Sequence, residues 1–428
     1  MSDIVQLRGE VRRTLGQASD EQLVRVMQFI DRLPSRSHFD DIVATVRHRL
    51  AVVRPARPMT LARVLTVPLE DLLLDAGTRS AADWLVPRDV LQILHRLVLE
   101  ALPADLAQRL TADCANRLMN DNDAVLGIGR QLWPVATTVL EQRLQDPSAL
   151  SRLEKLSDAV GPRLQRLSQL LACADQLVED LLQLPPKPMG RLSETQALAA
   201  LALLTNLRAG SVDLFRGGCT ILVRRSSNPG EVLRMVAEHD FGLKGDERKG
   251  LLTDATRECL DDVEATAALM GRQQGSAAAT ADAALKMASM IESLERVPSS
   301  VPVSPQQLAF VKAKASEAVL RTYESGIGGD VYAALDGIAS GLRAGDDDVL
   351  AAECMAIAMK KVEQAGGRLG QGYALNRIVQ RELSRYRKAL ELPPSSRRDD
   401  AAGNLMDGVR LIEILFGPDE AMRICEQL

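Results

Sequence analysis

The sequence predicts an all-α protein, built as multi-helical bundles or an irregular helical solenoid in two to three subdomains. Three observations carry this. Apolar residues recur along almost the whole chain at steps of three and four, the spacing of one helix face. Alternation with period two is nearly absent; its one candidate is Cys219-Thr-Ile-Leu-Val223, five residues that a helix accommodates equally well. The 428 residues are 46% apolar but only 3% aromatic, so the core is Leu, Val, Ile, Ala and Met, suited to helix-on-helix packing.

The elements follow in chain order. Ser19 stands three residues before Gln22, the pattern of a reciprocal cap, and Leu23, Val26, Met27, Ile30 and Leu33 line one face before Pro34 stops the helix. Ser37 opens a second helix with the stripe Phe39, Ile42, Val43, Val46 and Leu50. Pro87 reads as a first-turn proline ahead of Val90, Ile93, Leu94, Leu97 and Val98. From Leu164 the apolar positions run Leu164, Leu167, Leu171, Ala174, Val178 and Leu181, a seam of nearly three heptads. That spacing serves a dimerisation helix and a helix packed inside a bundle alike, and the bundle is the expected use. Ser193 with Gln196, and Ser304 with Pro305 and Gln307, repeat the capping chemistry.

Proline runs punctuate this pattern at Pro185-Pro-Lys-Pro188, Pro298 to Pro305, and Pro393-Pro-Ser-Ser396. Boundaries at the first two give an amino-terminal all-α domain (1–184) with an Arg-rich segment (42–69), a middle helical domain (191–297) and a carboxyl-terminal helical domain (306–428). Neither tetratricopeptide nor ankyrin periodicity recurs.

Composition narrows the compartment. The amino terminus lacks an apolar stretch of signal length, and the longest charge-free run, Val297 to Val311, contains three prolines. No segment reaches the roughly 18–20 apolar residues that cross a bilayer. Six widely spaced cysteines without a CxxC pair read as reduced thiols, so the expected location is cytoplasmic. Arg outnumbers Lys 42 to 10, which reads as a GC-rich, bacterial coding bias.

Catalytic and ligand motifs are incomplete wherever they begin. The four histidines, His38, His48, His95 and His239, form no i, i+4 pair and no HExxH, so zinc has no local ligand set. His239-Asp240 has the look of a metal-dependent phosphohydrolase pair, but further His and Asp are missing nearby; it reads as a helix-end histidine. The acidic pairs at Asp40, Asp261, Asp346 and Asp399 all lack the last Asp of DDxxD, and Asp346 to Asp348 suit a helix amino terminus. Asn120 to Asp123 loses the EF-hand ligand alternation at Val125 and Leu126. Gly367 and Gly372 have Walker spacing with Tyr373-Ala374 where Lys and Ser/Thr belong, so Gly366 to Gly372 read as a helix stop and restart. No cofactor, catalytic or metal residue is assigned.

Two basic features remain. Between Ile42 and Leu69 no acid occurs in 28 residues, while Arg47, Arg49, Arg54, Arg57 and Arg63 accumulate. Further on, Arg377, Arg381, Arg385 and Lys388 share one side of a helix. These are the candidate partner-binding residues, able to grip an acidic protein surface, lipid headgroups or phosphates. Net charge of −5 and the scarcity of rings argue against a dedicated nucleic-acid binder. The expected function is therefore a non-enzymatic helical scaffold or adaptor that binds a protein partner through helical grooves and Arg-rich patches. Two alternatives stand beside it: an all-α enzyme with dispersed residues, such as a hydrolase near His239 and Asp240, and a nucleic-acid-associated protein. Trp84 and Trp133 are the two places where a ring-lined ligand pocket would have to be sought.

Overall fold

A computed structural model describes residues 19–32, 57–74, 84–148, 151, 160–270, 277–339, 346–390 and 401–426. Among them the fold is all-α, with no strand and only three isolated β-bridges. The chain divides into two compact units, one of residues 1–226 and 238–247, the other of 227–237 and 248–428. The Pro185–Pro188 run thus lies inside the first unit and the Pro298–Pro305 run inside the second.

In the first unit the order is α1 (Asp20–Arg32), α2 (Leu61–Thr66) with a 3-10 turn over Val67–Leu72, α3 (Arg88–Ala101) and α4 (Ala104–Cys114). There follow α5 (Asn122–Gln145), α6 (Val160–Ala172), α7 (Ala174–Leu182), α8 (Glu194–Gly210) and α9 (Val212–Arg225). The central pole is α5, which packs against α2, α3, α4, α6 and α7. Its buried residues begin as adjacent pairs one turn apart, Ala124 and Val125, Ile128 and Gly129, Leu132 and Trp133, and continue through Ala136 to Val139 and Leu140. Pairs at that spacing widen the apolar stripe, so one helix serves several neighbours. Trp133 is 1% exposed and Trp84 4%, so both rings fill core, neither a ligand pocket. Trp133 donates its Nε1 proton to the Val64 carbonyl at 3.1 Å, tying α5 to α2.

The capping chemistry is as the sequence implies. Ser19 accepts from the Gln22 amide while Gln22 accepts from the Ser19 amide. Ser193 and Gln196 form the same box, and Ser304 accepts from the Gln307 amide with Pro305 in the first turn. Two local expectations are corrected. Pro87 is the cap itself, extended at ψ 149°, and the helix begins at Arg88. The seam from Leu164 to Leu181 is not one helix, because the chain leaves helical geometry at Cys173 (φ −109°, ψ 16°) and restarts. All six seam residues are nonetheless buried, as a bundle requires. Cys219–Val223 is absorbed into α9, with every residue buried.

The second unit contains α10 (Pro229–Glu238), α11 (Gly245–Met270), α12 (Ala277–Glu295), α13 (Pro305–Ser325) and α14 (Ile327–Ala339). Then come α15 (Asp346–Arg368), α16 (Gly372–Leu390), α17 (Ala401–Phe416) and α18 (Pro418–Cys425). Its pole is α15, which meets α12, α13, α14, α16 and α17. The α12–α15 contact is the most extensive, between alanine-rich faces: Ala281, Ala284 and Ala288 on one helix, Ala352, Ala356 and Ala365 on the other. Small side chains let two backbones approach closely.

Gly366 to Gly372 do form a helix stop and restart. Gly370 has φ +81°, its amide donates to Gly367, and the Gln371 amide donates to Gly366, the double closure of a Schellman motif. All six cysteines are free thiols; Cys114, Cys219 and Cys259 are buried and Cys425 is exposed. No helix among the described residues is long and apolar enough to cross a membrane.

Candidate groove beside Arg57

Of the first Arg-rich segment, Arg47, Arg49 and Arg54 lie outside the described residues, as does the helix expected from Ser37. Arg57 and Arg63 lie within them. Proline at 58 has no amide to donate, and the chain there runs extended. It pairs with the segment after α4: the Met59 amide donates to the Arg117 carbonyl at 2.9 Å and the Met119 amide to the Arg57 carbonyl at 2.8 Å. Thr60 then caps α2 by accepting from the Arg63 amide. The Arg63 guanidinium turns back to donate to the Pro58 carbonyl, so its charge serves the local fold.

Beside this pairing lies a groove of about 660 Å³. Met59, Leu61 and Ala62 form one wall, Thr111 and Cys114 of α4 another, and Leu99 of α3 closes it. Leu99 is 38% exposed, a large apolar side chain facing water. Asn116, in the left-handed region at φ +62°, turns the chain out of α4 and brings Arg117 to the rim; Asn tolerates that conformation better than most residues. Among the described residues no acid lines the groove, and Arg117, the one charged lining residue among them, pairs at 3.2 Å with Asp121 outside it. Arg57 is exposed at the edge of the paired segment. Burial is the main cause that pushes the Cys114 thiol above its ordinary pKa, with Asp113 adding to it, so this groove residue is a poor nucleophile.

One turn before Leu99 is His95. Its ring donates to the Ala62 carbonyl, and burial, the larger influence, lowers its pKa. Its Nε2 is buried without a partner. Histidine with one nitrogen committed and the other enclosed is held neutral.

The other candidates are placed differently. Arg381 pairs with Glu324 at 2.9 Å and Glu382 at 2.7 Å, and Arg385 approaches Glu382 at 3.8 Å. Arg377 is exposed on the same helix, and Lys388 lies in α16. The row that reads as basic in sequence is thus interleaved with acids from α13 and from α16 itself. His239 and Asp240 are exposed in the turn after α10. The His239 ring stands edge-on to Phe241 at 4.7 Å, and Asp240 accepts from the Gly242 amide at 3.0 Å, a local turn contact. Among the described residues no group of three or more His, Cys, Asp or Glu is placed to hold a metal ion.

An ionic node in the first unit had no sequence signal. Asp71, with its side chain 7% exposed, receives Lys187 at 3.0 Å and Arg225 at 2.8 Å. Arg224 donates to the Asp71 carbonyl and Arg225 also reaches the Pro185 carbonyl. The node fastens the proline run to the 3-10 turn and to the end of α9, across separations of 116 and 154 residues. Its charges are paired with one another, and it reads as architecture. In the second unit, burial raises the pKa of both Tyr323 and Tyr332, which keeps these hydroxyls protonated. No family model matches the chain, and neither a curated protein nor a solved structure matches it.

Proposed function

We propose that the chain is a helical interaction module whose groove between Met59, Leu99 and Cys114 takes an acidic segment of a partner protein anchored by an apolar side chain. The observation that supports this reading is an apolar groove with no acid among its described lining residues, an exposed leucine inside it, and exposed Arg57 next in the chain to its lining residue Pro58. An apolar anchor displaces water from Leu99 and Met59, while carboxylates meet the arginine and are met by no acid. The charge sets partner choice and the leucine supplies most of the affinity, since exposed charges contribute little each.

A photo-reactive phenylalanine analogue at Leu99 tests it in the native host. The expected products are cross-links to partner segments rich in Asp and Glu, lost when Arg57→Glu is combined with the probe. Cross-links to nucleic acid, to lipid, or to no macromolecule would refute the reading. The nucleic-acid product would instead favour a phosphate-binding role for the same arginines.

A further inference from the structure

We propose that a second cleft, between the carboxyl-terminal half of α5 and α6, binds a small polyol bearing an amine, of the amino-sugar class. The cleft has a volume of about 610 Å³, within the ordinary range of small-molecule sites. Its polar wall comprises Glu141 and Gln145 from α5 with Gln165, Ser168 and Gln169 from α6, and Leu144 lies between them. The spacings place both sets on facing helix sides: 141, 144 and 145 on one, 165, 168 and 169 on the other.

Two of these groups are enclosed and unused. Ser168 is 3% exposed, yet its Oγ has no hydrogen-bond partner, and neither has the buried Oε1 of Gln169. Buried side-chain oxygens are nearly always satisfied, and both of these border the cleft. The chemistry of the wall states what would satisfy them. A hydroxyl and three carboxamides each donate and accept, which matches sugar hydroxyls that do the same. Among the described residues Glu141 is the only charged one that lines the cleft, and it has no ion pair with any of them, so an ammonium group is its complement. An anionic ligand would meet that carboxylate unfavourably, and no aromatic ring among the described residues lines the cleft to stack a nucleobase.

Isothermal titration of the full chain with glucosamine and with glucose tests the assignment. Glucosamine should bind, glucose about tenfold more weakly, and Glu141→Gln should erase the difference between them. Ser168→Ala should weaken both by about tenfold. In the free protein the same substitution removes an unpaired hydroxyl, so its urea midpoint should stay level or rise. Absence of binding by either sugar at tens of millimolar overturns the proposal. So does binding unaffected by both substitutions, or a lowered midpoint for Ser168→Ala, which would show that the hydroxyl serves the fold.

Discussion

Two glycines on α5, one exposed and one buried, should respond oppositely to the same substitution. Gly127 and Gly129 are two residues apart in α5, the central helix of the first unit. A methyl group at 127 meets nothing within 4 Å, so Gly127→Ala should gain the helix-propensity difference of about 1 kcal/mol. A methyl at 129 would stand 2.6 Å from Cζ3 of the Trp133 indole and closer still to Cη2 and Cζ2. That ring is 1% exposed and its Nε1 is bonded to the Val64 carbonyl, so it yields only by giving up packing and a hydrogen bond. Overpacking of this kind costs about 1–3 kcal/mol and the bond about 1 kcal/mol more. Against a propensity gain of about 1 kcal/mol, Gly129→Ala should be destabilised by about 1–3 kcal/mol. Urea unfolding followed by tryptophan fluorescence isolates the effect, because Trp84 and Trp133 both belong to the first unit. The two midpoints should move in opposite directions. A Gly129→Ala protein as stable as Gly127→Ala would refute the argument that the indole occupies the space a methyl needs.

Two further outcomes follow from the same unit. Asp71→Ala leaves Arg225, 16% exposed, without its carboxylate, and should cost about 2–4 kcal/mol, whereas Lys187→Met, at a side chain 45% exposed, should cost under about 1 kcal/mol; equal effects in urea unfolding would contradict the node. The second concerns pH. The folded pKa of His95 lies below its unfolded value of about 6.5, so the unfolded chain takes up the proton first. The stability held by neutral His95 is therefore complete above that value and is lost as pH falls through it toward the folded pKa. His95→Gln should flatten the stability profile over that window, and a profile identical to the parent's would count against a neutral, enclosed ring.

Helix positions and caps were legible in sequence because both are local. The Ser19–Gln22 and Ser193–Gln196 boxes close within one turn, and the stripe from Leu164 to Leu181 records burial directly. What the stripe could not record was the interruption at Cys173, since seam residues stay in register on the same face across a one-residue break. The candidate sites were less legible. Glu141 and Ser168 stand in separate helices, and Asp71 is 154 residues from Arg225. No spacing rule connects such positions, because the fold alone brings them together.

The two basic features show why charge in sequence is a weak guide to charge in structure. On α16, Arg381 meets Glu324, which the packing of α13 supplies, and its own neighbour Glu382, both at salt-bridge distance. A helix surrounded by other helices rarely keeps its field, because each neighbour presents a polar rim at the same height. The extended segment at Arg57 escapes that rule. It pairs through its backbone alone, with residues 117–119, and the surrounding 28 residues bring no acid of their own. Arg63 folds onto a carbonyl and Arg117 onto Asp121, yet the described residues of the groove wall carry no negative charge. Under the proposed reading, electrostatic selection at this groove would depend on what is missing from its described lining as much as on Arg57. By that reasoning an acid introduced within it, as in Thr111→Glu, should disrupt acidic-partner binding as effectively as reversing Arg57.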